Sequence, residues 1–220
     1  MSIFYRILFI IIAICIPVIT VFGAMNIVYR MPDLYVYEFN NNEIANEIDL
    51  GIKDDELGQF FSDFMTGKEK EFDLFTEYRD REQSVFGTGE QINMENARKL
   101  LNHTLYIIGI ALILAVISYG VFLLKKKKYE LRIAFKTSII VFAVMQAVFY
   151  ILFLIEKTRE FLYEMIFINP FGADDALPLM LTERFAKISV IANSVVALIM
   201  LIILASITWR ITKPRRMFWQ

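Results

Sequence analysis

TLYIIGIALILAVISYGVFLL, residues 104–124, is an uncharged apolar run that ends directly at four consecutive lysines, Lys125 to Lys128. A second apolar run follows at residues 133–155 and carries one charge, Lys136, near its start. Each run reaches the roughly 20 residues that a helix needs to cross a ~30 Å hydrocarbon core. Short loops rich in Lys and Arg stay in the cytoplasm. The stretch therefore predicts two transmembrane helices joined by a cytoplasmic turn at residues 125–132.

Two further apolar runs complete the predicted membrane domain. The first lies within residues 1–25, and the last covers residues 188–208 and precedes a basic tail at residues 209–220. A cleaved signal peptide is the alternative interpretation of the first run, but its apolar region would exceed the usual ~7–15 residues. Four transmembrane helices with both termini in the cytoplasm place every basic cluster on the inner side. We therefore predict a multi-pass protein of the plasma membrane, with the lipid bilayer as a partner.

Charge is distributed unevenly along a chain whose formal net charge is only −1. Residues 26–103 carry 17 acidic and 8 basic side chains, a net charge of −9, and the remainder carries +8. This asymmetry predicts one acidic extracytoplasmic domain between helices 1 and 2, called the outer segment here. The basic residues cluster at helix ends, which gives no support for nucleic-acid binding.

The outer segment has patterns of both secondary-structure types. Alternation of Tyr35, Tyr37 and Phe39 predicts a short strand. Residues 54–67 begin with three acids, continue with helical apolar spacing and end at glycine, which predicts a helix. The helical face at residues 94–101 is expected to run straight into the second transmembrane helix. The predicted fold is thus an α-helical membrane protein with a small mixed α/β extracytoplasmic domain.

Residues 156–187, called the outer loop here, form the second extracytoplasmic segment. An apolar stretch at residues 161–167 is followed by a turn at Asn169-Pro170 and by further apolar positions up to Phe185. This pattern predicts an amphipathic segment in the outer interface or a re-entrant one.

Few residues in the chain have the chemistry of a catalytic site. One histidine, His103, and one cysteine, Cys15, exclude a zinc site of the usual His and Cys type, and no phosphate-binding glycine loop is present. We therefore expect no metal or cofactor. The absence of acids and bases deep in the apolar runs disfavours ion transport.

Two titratable side chains are candidates for proton transfer. His103 lies at the outer end of the second transmembrane helix, where it is either a general base or an interfacial polar residue. Glu164 lies in an apolar stretch, where it is either a desolvated base or the ion-pair partner of a nearby cation. For Glu164 the ion pair is the favoured interpretation, with Arg159, Arg184 or Lys187 as its partner.

Two stretches resemble a bacterial family of four-helix membrane proteins that includes the lipoprotein intramolecular transacylases of Gram-positive bacteria. They are NMENARKL at residues 93–100, where the family has His-Met-x-Asp-Val-Lys-x-Leu, and residues 164–185, where it has His-x-Leu-Phe-x-Asn and a following Asp-x-Leu-Ile. The family moves an acyl chain from the lipid-modified glycerol of an N-terminal cysteine onto the amino group of that cysteine. The resemblance implies the four-helix topology and a lipoprotein substrate.

The chain departs from the family at both histidines, which are replaced by Asn93 and Glu164. An amide cannot act as the base that acyl transfer needs, whereas a carboxylate or His103 can. The resemblance implies an acyltransferase site near Asn93, Arg98, His103, Tyr163 and Glu164. The alternative function is a non-catalytic accessory or assembly subunit whose outer segment binds another membrane or envelope protein.

Overall fold

The computed structural model describes residues 2–42, 44, 52–78, 81–173 and 175–213. In chain order its elements are α1 (Ile3–Val28), α2 (Pro32–Asn42), α3 (Asp54–Thr66), β1 (Phe75–Tyr78), β2 (Arg81–Ser84), α4 (Thr88–Leu124), α5 (Lys128–Leu154), α6 (Glu156–Ile166), α7 (Leu177–Met180) and α8 (Glu183–Thr212). Helices α1, α4, α5 and α8 are long and apolar enough to cross a membrane. This confirms the prediction of a mainly helical chain with four candidate transmembrane helices. Most of the predicted basic tail, residues 214–220, lies outside the described residues.

The chain divides into two compact units, of which the first is the membrane unit: Met1–Ala24, Leu105–Leu154 and Ser194–Gln220. Small residues pack at its helix interfaces, as is usual in membrane helix bundles. Ala24, Ala134 and Ala197 are fully buried, and a Cβ at Gly23 would lie 2.8 Å from Met200 Cε. The outward faces are apolar, as a lipid-facing surface requires; examples on α4 are Ile110, Ile113, Val116 and Ile117.

The lysine turn joins α4 to α5 through a short left-handed connection. Lys126 has a φ of +56°, and the Lys127 amide donates to the Phe122 carbonyl at 2.8 Å. The Lys127 ammonium lies 4.4 Å from the ring centroid of Tyr5. Near the start of α5, Arg132 Nε donates to Oγ1 of Thr212, the last residue of α8, at 2.8 Å. Cations at this end of the membrane unit are therefore held by specific contacts.

The second unit, called the outer unit, consists of Met25–Thr104 and Ile155–Asn193. Its core is aromatic, with ring centroids 4.4–6.2 Å apart, a spacing typical of edge-to-face and offset pairs. Helices α2 and α3 approach closely at Gly58, where a Cβ would lie 2.6 Å from Val36 Cγ2. The buried rings belong to Tyr35, Phe39, Phe61, Phe64, Phe72 and Phe86.

The strand predicted at residues 35–39 is wrong, because these residues lie within α2. Pro32 and Asp33 occupy the first turn, where proline and an acid favour helix initiation. Burial follows helical spacing, with Leu34, Tyr35, Glu38 and Phe39 inside and Tyr37 56% exposed. An alternation over five residues is too short to exclude a helix, and the initiation signal outweighs it.

The other predictions for the outer segment concern α3, α4 and the strands. Helix α3 ends at Gly67, which adopts a φ of 85°, and α4 continues without a break from Thr88 into the apolar run, as predicted. The described strand residues form a single antiparallel hairpin that pairs Phe75 with Ser84. With helix dominant on either side of this hairpin, the mixed α/β character predicted for the domain is not confirmed.

Candidate functional site

Asn93, in the second turn of α4, joins this helix to the outer loop. Its Oδ1 accepts from the Asn169 amide at 2.8 Å, and its Nδ2 donates to the Asn169 carbonyl at 3.0 Å. The side chain is 0% exposed. A backbone amide and carbonyl that are partly buried both need partners, and one carboxamide supplies them together. Asn93 thus acts as a bidentate clamp on the turn that begins at Asn169.

Glu90 lies one turn before Asn93 and binds the outer loop in a second way. Its Oε2 accepts from the Gly87 amide at 2.8 Å, which caps the start of α4. Its Oε1 accepts from the Leu177 amide at 2.7 Å. The side chain is 2% exposed, so two backbone donors satisfy a buried carboxylate. Glu90 therefore fixes the start of α7 beside the start of α4.

Asn96 makes the third connection between α4 and the outer loop. Its Nδ2 donates to the carbonyls of Met165 and Ile166, at 3.1 and 2.7 Å. Carbonyls in the last turn of a helix have no partner within that helix, and Asn96 satisfies two of them at the end of α6. Glu90, Asn93 and Asn96 recur every three residues, so they lie along one face of α4.

Tyr163 packs against aromatic residues that follow the end of α6. Its ring centroid lies 4.6 Å from that of Phe167 and 5.9 Å from that of Phe171. Burial raises the pKa of the Tyr163 phenol above its ordinary value, so the hydroxyl stays protonated at neutral pH. The residue remains 41% exposed, and its neutral hydroxyl borders solvent beside an apolar surface.

Arg98 projects from another face of α4 and contacts a different part of the outer unit. Its guanidinium donates to the carbonyls of Phe64, Glu69 and Lys70, at 3.3, 3.0 and 2.9 Å. It also lies 4.0 Å from the Phe64 ring centroid. Arg98 therefore satisfies carbonyls at and after the end of α3. The structure does not bring it to the Asn93 clamp, although the sequence predicted one site.

Glu164 and His103 are both exposed in the outer unit. The cations proposed as ion-pair partners of Glu164 pair with other carboxylates: Arg159 and Lys187 with Glu183, and Arg184 with Glu38.

His103 follows Asn96 by seven positions, which places it on nearly the same face of α4, on the order of 10 Å further along the axis. Asn96 in turn contacts the residues that follow Glu164. The face of α4 that carries Asn93 and Asn96 thus also carries the imidazole.

Sequence reasoning missed Glu90, Asn96 and Asn169 as parts of this junction. Only Glu90 has a local signal, since an acid three residues after Gly87 at a helix start is typical of a capping box. Across the described residues, no group of three or more His, Cys, Asp and Glu side chains is arranged to hold a metal ion.

Comparison with known proteins identifies a family. The sequence model of the protein family "lipoprotein intramolecular transacylase Lit" matches residues 10–172 of this chain. A solved structure of the membrane integral lipoprotein intramolecular transacylase Lit from Bacillus cereus, in a histidine-to-alanine variant, is similar with a TM-score of 0.72 and 22% identity over 98% of this chain and 96% of that one. A second structure of that protein gives a TM-score of 0.66 and 21% identity over 98% and 99%. Among proteins of curated function, no sequence match was found.

Proposed function

Because the chain belongs to the family of lipoprotein intramolecular transacylases, we propose that it acts on the lipid-modified N-terminal cysteine of lipoproteins at the outer leaflet of a bacterial plasma membrane. The observation that carries this proposal is the family match, which extends from α1 through both partners of the Asn93 clamp. The proposed reaction moves one acyl chain from glycerol to the amino group of the same cysteine.

The proposed reaction needs no second substrate. The amino nitrogen attacks the carbonyl carbon of the acyl ester, an amide C–N bond forms and the ester C–O bond breaks. The glycerol oxygen leaves and receives the proton that the amine loses. A side chain that takes up this proton and returns it accelerates both halves of the step. We assign this role to His103, the sole imidazole of the chain, with Glu164 as the alternative base.

The other predicted residues take supporting roles in the proposal. Tyr163 offers a neutral hydroxyl at the edge of an aromatic surface, which suits contact with an acyl ester. Asn93 and Arg98 are positioning residues, because their polar atoms bind backbone groups at the outer loop and after α3. In this assignment α4 carries the proposed base His103, and α6 carries Tyr163 and the alternative base Glu164.

The orientation and domain boundaries are part of the same proposal. We place the outer segment and the outer loop outside the cytoplasm, and the turn at residues 125–132 and both termini inside, because the basic clusters then obey the positive-inside rule. Labelling of single cysteines introduced at exposed Glu95 and Lys128 of intact cells tests this. Reagent that does not cross the membrane should label the first position and leave the second unlabelled.

A second function is favoured by one observation, the full engagement of the Asn93 amide. Both polar atoms of that side chain bind Asn169, so the position that holds a histidine in the family is structural in this chain. A member without its base would be an accessory or assembly subunit, and the acidic outer segment would bind a membrane or envelope protein through complementary charge.

Mass spectrometry of lipoprotein N-terminal peptides distinguishes the two functions. The chain is expressed in a host that lacks lipoprotein N-acylation, as wild type and as His103→Gln, Glu164→Gln and the control Glu160→Gln. Glu160 is an exposed carboxylate one turn before Glu164 on α6, so its replacement changes charge equally. Size-exclusion profiles and membrane levels report folding.

We expect wild type and Glu160→Gln to produce N-acyl, monoacylglyceryl cysteine. Loss of at least ~100-fold in His103→Gln is expected for a general base, and Glu164→Gln tests the alternative base. Absence of product from folded wild-type protein would overturn the transacylase proposal and support the accessory function. Cross-linking from the outer segment would then be used to identify the bound protein.

A further inference from the structure

A shallow cavity of 320 Å³ in the outer unit differs in charge from the segment that forms it. No carboxylate is among the described residues that line this cavity, although the outer segment carries a net charge of −9. A second cavity of 400 Å³ includes four carboxylates in its wall. We call the first one the cationic cavity; its wall consists of Met65, Thr66, Gly67, Lys70, Arg98 and Asn102.

Arg98 makes this wall suitable for an anion. The carboxyl end of α3 would by itself repel a negative charge, since helix C-termini carry partial negative charge. The Arg98 guanidinium binds the Phe64, Glu69 and Lys70 carbonyls there. These bonds leave part of its fork of N–H donors unused, and its positive charge remains at the cavity. The exposed ammonium of Lys70 adds a second charge.

Asn102 supplies an oriented hydrogen-bond donor. Its Oδ1 accepts from Arg30 Nη2 at 2.7 Å, which fixes the amide so that its nitrogen is the end not used by Arg30. Among the described residues no acceptor binds this nitrogen. The Arg30 Nε atom is buried and has no hydrogen-bond partner in the described part of the chain. Arg30 is thus a third cation, which contacts the cavity wall through Asn102.

The cationic cavity lies near the ends of two apolar runs, those of α1 and α4. Asn26, near the end of α1, donates to Thr104 Oγ1 at 2.6 Å, and Thr104 begins the apolar run of α4. Asn102 precedes Thr104 by two residues, a rise of about 3 Å along a helix. The cavity wall is therefore close to the level at which the chain leaves its apolar region, where lipid headgroups lie.

We propose that the cationic cavity binds the phosphate group of a phospholipid. Lys70 and Arg98 supply charge-assisted hydrogen bonds, which arginine forms readily with phosphate oxygens, and the Asn102 amide supplies a neutral one. This site is distinct from the face of α4 that carries the Asn93 clamp and His103. A soluble phosphate ester has the same chemistry, and the experiment separates the two sources.

Binding of three probes to the purified full chain in detergent tests the proposal. Dihexanoyl phosphatidylglycerol carries phosphate and acyl chains, glycerol 3-phosphate carries phosphate alone, and dihexanoylglycerol carries acyl chains alone. The variants are Lys70→Gln and Asn102→Asp, which keeps the acceptor for Arg30 but removes the donor and adds a negative charge. Lys68→Gln is the control, because Lys68 is exposed, pairs with Asp63 and lies outside the wall.

Dihexanoyl phosphatidylglycerol should bind wild type and Lys68→Gln equally, and should bind Lys70→Gln and Asn102→Asp about ten-fold more weakly. Dihexanoylglycerol should not show these differences. Glycerol 3-phosphate that binds as tightly as the lipid, with the same variant pattern, would overturn the lipid assignment in favour of a soluble phosphate ester. Equal weakening by Lys68→Gln, or equal binding of dihexanoylglycerol, would overturn the site.

Discussion

The Asn93 clamp gives the most direct test of how α4 holds the outer loop. In Asn93→Ala the Asn169 amide and carbonyl both lose their partner in a site that is 0% exposed at residue 93. Each buried polar group left unsatisfied costs about 1–3 kcal/mol. The two together give about 2–6 kcal/mol, before any cost of the small cavity.

Hydrogen exchange at the Asn169 amide measures this loss locally. If the turn opens more easily by about 3 kcal/mol, protection of that amide falls on the order of 100-fold. The control is Asn96→Ala on the same face of α4. Asn96 is only partly buried and binds carbonyls at the end of α6, which water can also reach, so we expect less than about 1 kcal/mol. Exchange at Asn169 that is equal in wild type and Asn93→Ala would refute the clamp.

The isosteric change Asn93→Asp separates the two hydrogen bonds. A carboxylate still accepts from the Asn169 amide but cannot donate to its carbonyl, and it buries a charge. A protonated carboxyl group restores both bonds, so folding favours the protonated form and raises its pKa above the unfolded value of about 4. The variant should therefore be most stable below pH ~4 and lose stability as the pH rises from there through the raised pKa of the folded state. A pH-independent difference from wild type would contradict this reasoning.

Three further changes test other parts of the outer unit. Glu90→Gln keeps the side-chain shape but turns an amide donor toward one of the two backbone donors that Glu90 binds. We therefore expect the free energy of unfolding to fall by about 2 kcal/mol and hydrogen exchange at the Leu177 amide to become faster. Unchanged exchange at that amide would exclude the role of Glu90. Gly58→Ala places a Cβ 2.6 Å from Val36 Cγ2 and should cost about 1–3 kcal/mol, whereas Gly109→Ala, with nothing within 4 Å, should be neutral or stabilising. Burial raises the pKa of the Tyr35 phenol. Its protonated form therefore stabilises the fold fully below pH ~10, and that contribution is lost as the pH rises further. Tyr35→Phe should reduce the alkaline slope of the unfolding free energy by up to about 1.4 kcal/mol per pH unit, and an identical slope would show that another group controls it.

The membrane helices could be predicted because a bilayer allows few solutions. An uncharged run such as residues 104–124 has to satisfy its backbone internally, and a helix does so within one segment. Helix α3 was also predictable, since acids at its start and Gly67 at its end bracket a helical apolar spacing. The strand predicted at residues 35–39 failed because Tyr35 and Phe39 fit both periodicities, and Pro32 with Asp33 carried the deciding signal.

The contacts of the candidate site residues could not be predicted from the sequence. The family resemblance selected Asn93 and Arg98 as neighbours on α4, yet the former binds Asn169 and the latter binds carbonyls from Phe64 to Lys70. Asn93 and Asn169 are 76 positions apart, and an asparagine on a helix has no local pattern that specifies such a partner. Whether the five candidate residues act as one site depends on which faces of α4 and α6 they occupy, and only the fold fixes that.

The resemblance implies that Asn93 replaces a family histidine, and a carboxamide at this position has a specific chemical consequence. A neutral imidazole has one donor and one acceptor on opposite sides of its ring, whereas a carboxamide presents both on one edge. Only the second arrangement can bind the amide and carbonyl of one residue as Asn93 binds Asn169. A carboxamide is not basic enough to take up a substrate proton, and both polar atoms of Asn93 are bound to the backbone. Under the proposed function the proton transfer therefore uses another group, to which we assign His103, on nearly the same face of α4 as Asn96.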